Sequence, residues 1–232
     1  MHNKYLIVVA GGHGTRMGAA VPKQFIELEG KAILHRTIEK FVSAVPDVRV
    51  VTVLPKEFIQ DWKDYCIRRN FGTRQTIVEG GVTRYHSVKN ALEKVGDGDI
   101  VAIHDGVRPL LSESLIRTMF KKMEDLDALV PVLPSVDTLR VLCADGEGNL
   151  RTKEGARAER SEIFAVQTPQ MFRSEKIKAA YRQPYEVSFT DDASVAERKG
   201  ITLSFTEGER FNIKITTPSD LEFARMILGS SR

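Results

Sequence analysis

Runs of β-branched and apolar residues alternate with stretches of helical period along most of this chain, and that alternation limits the folds open to it more than any other feature. Residues 5–10 (YLIVVA), 48–54 (VRVVTVL), 76–79, 100–104 and 128–133 read as strands. Between them, residues 32–42, 57–69, 84–95 and 113–124 place apolar side chains at the spacing of one helix face. Strand and helix in turn predict βαβ units, and so a mainly parallel sheet. The strands are apolar almost without interruption, which predicts a sheet covered by helices on both faces. The expected architecture is an α/β, Rossmann-like fold.

The alternation breaks from about residue 135 to 160. This stretch is polar and holds a turn signal, Asp145-Gly146-Glu147-Gly148-Asn149, between two strand-like pieces. It predicts a protruding β-arm at about 136–160 within a single domain spanning 1–232. A two-stranded arm is marginal alone in water, so a second subunit is its natural packing partner. Helices are expected near 175–181 and 191–199, a short strand at 202–205, and a last helix opening at Thr217-Pro218. There a hydroxyl N-cap precedes a proline at the first helical position.

Composition narrows the partners. The 232 residues are 42% hydrophobic and 28% charged, ordinary for a globular protein, and the net charge is +3. The 34 Lys and Arg are scattered among 31 acids, which argues against nucleic acid as partner and suits a small anionic substrate. Cys66 and Cys143 stand outside any metal-binding spacing, as a reducing compartment would have them. The first apolar run is too short for a signal peptide and glycines follow it at once. No stretch approaches the ~20 apolar residues of a membrane-spanning helix. The expectation is a cytoplasmic protein with no membrane partner.

The segment richest in chemistry, AGGHGTRMGAAVPKQ (residues 10–24), follows the first strand directly. In open α/β sheets, ligands bind beyond the carboxyl ends of strands. Gly11, Gly12, Gly14 and Gly18 let backbone N–H groups approach a phosphate chain, and Arg16 and Lys23 add two cations. The loop lacks the third glycine of the dinucleotide fingerprint, with Met17 in its place, and it holds no Walker A sequence. Gly80-Gly81 ends the third strand, with Ser87 one turn into the next helix, as a backbone-lined slot or an ordinary strand-to-helix turn. Asp105 ends the fourth strand and is open to a metal, a hydroxyl or a turn-capping role. His104 reads as a packed, hydrogen-bonded histidine rather than a ligand. By residue type alone, Arg108, Arg160 and Lys214 are surface cations or phosphate contacts. Thr190-Asp191-Asp192 reads as a helix N-cap with acids in the first turn.

Gly12-x-Gly14-Thr15-Arg16-Met17-Gly18 followed by Pro22-Lys23-Gln24-Phe25 resembles the nucleotidyltransferases that activate sugars and polyols. In particular it resembles the 2-C-methyl-D-erythritol 4-phosphate cytidylyltransferase family of non-mevalonate isoprenoid synthesis. The resemblance recurs in order along nearly the whole chain. It includes Gly80-Gly81 with Arg84 and Ser87, His104-Asp105-Gly106-Val107-Arg108-Pro109, Asp137-Thr138, Gln167-Thr168-Pro169-Gln170, Thr190-Asp191-Asp192-Ala193-Ser194 and Asn212-Ile213-Lys214.

This resemblance implies the nucleotide-diphospho-sugar transferase type of fold and the transfer of CMP from CTP to a polyol phosphate. It implies catalytic roles for Arg16, Lys23, Arg160 and Lys214. It implies a nucleotide site at Ala10, Gly11, Gly12, Gly14, Thr15, Gly80, Gly81, Arg84, Ser87, Asp105 and Gly106. The acceptor would meet Asp105, Arg108, Thr138, Arg160, Thr190 and Lys214. It further implies Mg²⁺ held mainly by the CTP phosphates, with no firm protein ligand, and a homodimer whose arms complete each other's sites. One departure is Ala158-Glu159-Arg160-Ser161, where the family usually has Asp before the Arg. Two rival readings are a ribitol-5-phosphate cytidylyltransferase and a noncatalytic nucleotide-binding regulator.

Overall fold

β1 (Lys4–Val9) buries four of its six residues because it runs between two parallel neighbours, β4 (Arg49–Leu54) and β6 (Ile100–Asp105). The structure, a computed structural model, describes residues 2–12 and 22–229, and structural statements below concern those residues. β4 pairs in parallel with β5 (Gln75–Glu79). On the other side, β11 (Gln170–Arg173) is antiparallel both to β6 and to β7 (Ala128–Pro134). β7 also pairs with β10 (Phe164–Val166), antiparallel, and with β12 (Ser204–Glu207), parallel. The result is an eight-stranded sheet whose main path is β10-β7-β11-β6-β1-β4-β5. The parallel core matches the expectation from the sequence. β10 and β11 fall outside that expectation, because the polar run Gln167-Thr168-Pro169-Gln170 interrupts their apolar pattern.

Alternate residues of the central strands face opposite layers, as a period of two requires. Leu6, Val8, Ile100 and Ala102 pack with α1 (Ile33–Ala44), α2 (Ile59–Arg68) and α4 (Glu113–Lys122) through Phe41, Trp62 and Met119. Tyr5, Ile7, Val101 and Ile103 pack with α3 (Arg84–Leu92), α5 (Ser174–Ala180) and α6 (Asp192–Arg198) through Val88, Ile177 and Val195. Both faces are therefore covered, and each fully buried aliphatic side chain contributes about 1.5–3 kcal/mol of transfer free energy. A smaller cluster seats α7 (Pro218–Gly229) through Leu221 and Ala224 against Leu28, Val107 and Ile215. Thr217 caps α7 as its sequence predicts, accepting the Asp220 N–H at 3.3 Å.

The arm is present as expected. β8 (Leu142–Ala144) and β9 (Leu150–Thr152) form a separate two-stranded sheet around the Asp145–Asn149 turn, every residue of both strands exposed. Between β1 and α1, β2 (Glu27–Leu28) and β3 (Lys31–Ala32) make a small antiparallel pair. No helix among the described residues is long and apolar enough to cross a membrane.

Candidate active site

The carboxyl ends of β1, β5 and β6 open on one side of the sheet and line a cleft of about 220 Å³. Ala10, Gly11 and Gly12 form one wall and Gly81 to Arg84 another, with Lys23, Ser87, Asp105 and Lys214 between them. Close packing explains the glycines. The Ser87 hydroxyl accepts the Gly81 N–H at 3.0 Å and donates to the Thr83 carbonyl at 3.0 Å. A Cβ on Gly81 would stand 2.4 Å from His86 Cβ, so a side chain there displaces the α3 backbone. A Cβ on Gly80 or Gly11 would come within 3.3 and 3.4 Å of Ser87 Oγ. Gln24, buried in a 3₁₀ turn at Lys23–Phe25, donates to the Ala10 carbonyl at 3.1 Å. That bond ties the turn to the strand end and brings half-buried Lys23 to the cleft. Gly14, Thr15 and Arg16 lie outside the described residues.

A second cleft of about 160 Å³ lies beside the first, and Arg84, Asp105 and Lys214 line both. Arg108, Gln170 and Thr190 belong to the second alone. Asp105 is the hub of the shared wall. Its carboxylate receives Arg108 Nε at 3.1 Å and Lys214 Nζ at 3.2 Å, and Arg84 Nε lies 3.8 Å away. Burial pushes this carboxyl up, but the charges of Arg84, Lys214 and Arg108 outweigh it and hold the group well below the usual carboxylate range. Asp105 is ionised throughout the physiological range.

Arg84 is itself held from behind. Its guanidinium forks onto Asp192, Nη1 to Oδ1 at 2.9 Å and Nη2 to Oδ2 at 2.6 Å. The buried Tyr181 hydroxyl donates to the same Asp192 Oδ1 at 2.6 Å. Burial alone would lower the Arg84 pKa, and the two carboxylates reverse that, so the guanidinium stays charged. Asp191, not Thr190, is the N-cap of α6: it accepts the Ser194 N–H at 2.9 Å and closes a capping box. Thr190, one residue further out, is exposed and faces the second cleft.

Of the residues expected from the sequence, Ala10, Gly11, Gly12, Lys23, Gly81, Arg84, Ser87, Asp105 and Lys214 come together in the first cleft. Arg108 and Thr190 join Arg84, Asp105 and Lys214 in the second. Gly80 and Gly106 stand behind the lining. Gly106 packs against Ala10 and Leu34, where a Cβ would stand 3.0 and 3.1 Å from side-chain carbons. Thr138 and Arg160 are not brought to either cleft within this chain. Both are exposed, and Arg160 Nη1 reaches only the Val136 carbonyl at 3.5 Å. Sequence reasoning missed the supporting groups Asp192, Tyr181, Thr168 and Gln170. Gln170 grips α6, donating to Asp191 Oδ2 at 2.7 Å and accepting the Ala193 N–H at 2.8 Å. The motifs Gln167-Thr168-Pro169-Gln170 and Thr190-Asp191-Asp192 did mark the two segments that meet there.

Comparison with known proteins bears on the whole chain. The profile of the 2-C-methyl-D-erythritol 4-phosphate cytidylyltransferase family matches residues 5–230. A protein of that name from Porphyromonas gingivalis is 43% identical over 228 residues, covering 98% of this chain and 98% of the relative. Another from Phocaeicola vulgatus is 41% identical over 227 residues, covering 97% and 100%. Among solved structures, the 4-diphosphocytidyl-2C-methyl-D-erythritol synthase of Anaerococcus prevotii superposes with a TM-score of 0.78 at 27% identity, covering 98% of this chain and 99% of that one. The 2-C-methyl-D-erythritol 4-phosphate cytidylyltransferase of Thermus thermophilus does so with 0.72 at 30%, covering 98% of each.

Proposed function

Since the chain belongs to the 2-C-methyl-D-erythritol 4-phosphate cytidylyltransferase family, we propose that the two joined clefts hold CTP and 2-C-methyl-D-erythritol 4-phosphate on either side of the Arg84–Asp105–Lys214 wall. The chain is a nucleotidyltransferase of isoprenoid biosynthesis. An oxygen of the acceptor phosphate attacks the α-phosphorus of CTP, the bond to the β-phosphate breaks, and pyrophosphate leaves. The product is 4-diphosphocytidyl-2-C-methyl-D-erythritol. The ribitol phosphate and noncatalytic readings are not favoured by the family match.

The observation that carries the arrangement is the wall itself, where the Asp105 carboxylate stands between two clefts with Arg84 and Lys214, and Arg108 joins it from the second cleft. The nucleophile is an anion near neutral pH, so the chain need supply no strong base. Its task is to bring two anions together and to neutralise charge building on the α-phosphoryl group. Lys23 and Lys214 line the nucleotide cleft and serve that charge, with Arg16 of the glycine-rich loop as a third cation. Arg108, Lys214 and Thr190 face the acceptor. The backbone slot of Gly80, Gly81 and Ser87 takes the cytidine.

Mg²⁺ fits this donor set as a passenger of the nucleotide. Among the described residues, Asp105 is the only carboxylate lining the first cleft, and cations already engage it. The triphosphate oxygens and water would hold the ion, which supplies charge neutralisation. The arm supports a homodimer. Leu142 and Leu150 on the arm, and Phe164 and Val166 beside its base, are exposed. Arg160 and Thr138 stand away from this chain's own clefts, where a partner's site would give them an acceptor phosphate. Cys66 and Cys143 are free thiols, in keeping with a cytoplasmic setting.

Pyrophosphate release, measured for each nucleoside triphosphate crossed with a panel of polyol phosphates, tests the reading. Turnover is expected with CTP and 2-C-methyl-D-erythritol 4-phosphate. Preference for ribitol 5-phosphate, or no turnover with any pair, would overturn it.

A further inference from the structure

His104 is fully buried beneath the shared wall and the mechanism above does not use it. Its ring packs against Phe41, centroids 5.0 Å apart, and both nitrogens have one protein partner each. Nε2 lies 3.1 Å from the Arg108 carbonyl and Nδ1 lies 2.9 Å from Thr168 Oγ1. A carbonyl oxygen can only accept, so Nε2 carries the hydrogen. Burial holds the imidazole neutral, with a pKa pushed down to about 4, so Nδ1 is an acceptor and the Thr168 hydroxyl donates to it. The same hydroxyl oxygen receives the Asp105 N–H at 3.2 Å.

These bonds belong to a closed circuit. From His104 Nε2–H the chain of donors runs to the Arg108 carbonyl. Arg108 Nη1 donates to the Asn212 carbonyl at 2.8 Å, and Asn212 Nδ2 donates to the Thr168 carbonyl at 2.8 Å. Thr168 closes the ring on His104 Nδ1. One further bond, from the Ile215 N–H to the Val107 carbonyl at 3.0 Å, pins the chain on the far side of Lys214. Three sequence segments meet in this circuit, and they carry Asp105, Arg108 and Lys214. The guanidinium and amide links can only donate, so the His104 tautomer sets the direction of one bond in it, from the Thr168 hydroxyl to Nδ1.

We propose that His104, as its neutral Nε2–H tautomer, is a positioning residue that aims Arg108 and Lys214 at the phosphate of the acceptor. This rests on the assignment of the second cleft to that acceptor. His104 touches no substrate itself. Its loss leaves the glycine slot for cytidine intact, because Gly80 is bonded to Leu54 at the end of β4 and Gly81 to Ser87 of α3.

Steady-state kinetics, with each substrate varied in turn, separate the proposal from a merely structural role. His104→Gln keeps an amide donor for the Arg108 carbonyl and puts a methylene where Nδ1 accepts from Thr168. KM for 2-C-methyl-D-erythritol 4-phosphate should rise about tenfold and KM for CTP by less than about twofold, the scale of one lost buried hydrogen bond. Nitrogen-15 NMR of histidine-labelled wild type at neutral pH, with the His104 signals told apart from those of buried His35 by a His35→Gln variant, should show the His104 ring protonated at Nε2 alone. Thr168→Val, which deletes the hydroxyl at nearly constant shape, should weaken that preference. The proposal is overturned by equal rises in both KM values, by no rise in the acceptor KM, or by a proton on Nδ1. Should His104→Gln not fold, the NMR of wild type and Thr168→Val decides alone. A wild type that turns over other substrates and not this pair would instead refute the proposed function, and the tautomer measurement would still stand.

Discussion

Asp192→Asn removes one charge from the support of the wall and keeps the side chain's shape. Asp192 is 0% exposed, and its partner Arg84 retains 28% side-chain exposure. Removing one member of a buried ion pair costs about 3–5 kcal/mol, because the other is left buried and uncompensated. Two features of this site place the cost at the lower end. Asn still offers an acceptor to the Tyr181 hydroxyl, now 2.6 Å from Asp192 Oδ1. Asp105, whose Oδ1 lies 3.8 Å from Arg84 Nε, also retains part of the compensation. The expected loss is about 3 kcal/mol, which at roughly 2–4 °C per kcal/mol for a chain of this size lowers Tm by about 6–12 °C. Thermal unfolding followed by circular dichroism, backed by urea titration, measures it. Tyr181→Phe should cost only about 1 kcal/mol, since it leaves the fork in place. A Tm change below about 2 °C in Asp192→Asn would show that Arg84 is held by something other than this pair, and the account of the wall would fail.

Three further outcomes follow from the same geometry. Lys23→Ala should reduce turnover about a hundredfold or more, as loss of a group stabilising transition-state charge does, with Tm changed by less than about 2 °C; near-normal turnover would refute its role. Burial lowers the His104 pKa from 6.5 to about 4, so between those values the unfolded chain binds a proton that the native one refuses. Stability therefore falls with pH from about 7 to about 4, at up to about 1.4 kcal/mol per pH unit from this group, and urea titrations of wild type against His104→Gln should show the flatter slope in the variant. Deleting residues 141–153 should leave a folded monomer without activity by analytical ultracentrifugation and pyrophosphate assay, whereas an active monomer would rule out a site shared between subunits.

How far the sequence could be read depended on whether a residue's reason is local. β1, β4, β6 and β7 announce themselves because each is a continuous apolar run, and the glycines of the slot stand where strand meets helix. β11 does not, because what makes QMFR a strand is its place between β6 and β7, both of which lie far upstream in the chain. The same holds for the site. Asp105, Arg84, Arg108 and Lys214 sit in recognisable motifs. Asp192 reads as a favourable acid in the first turn of a helix, and only the fold shows its carboxylate turned onto Arg84 across 108 positions of sequence. His104 is legible as a packed, hydrogen-bonded histidine, but its partners Thr168 and Arg108 come from segments that meet only in three dimensions.

The base of the arm has a consequence of a different kind. The Ser135 N–H donates to the Ile163 carbonyl at 3.0 Å, and Pro134 pairs with Phe164, so the arm leaves and re-enters the sheet at one point. The body of the protein senses it only as a closed loop, and doubling the length of such a loop costs about 0.6 kcal/mol in closure entropy. Insertions, deletions and drift in the arm are thus nearly neutral for the scaffold. Over evolutionary time the arm is free to change in length and sequence at a rate of its own, without strain on the wall.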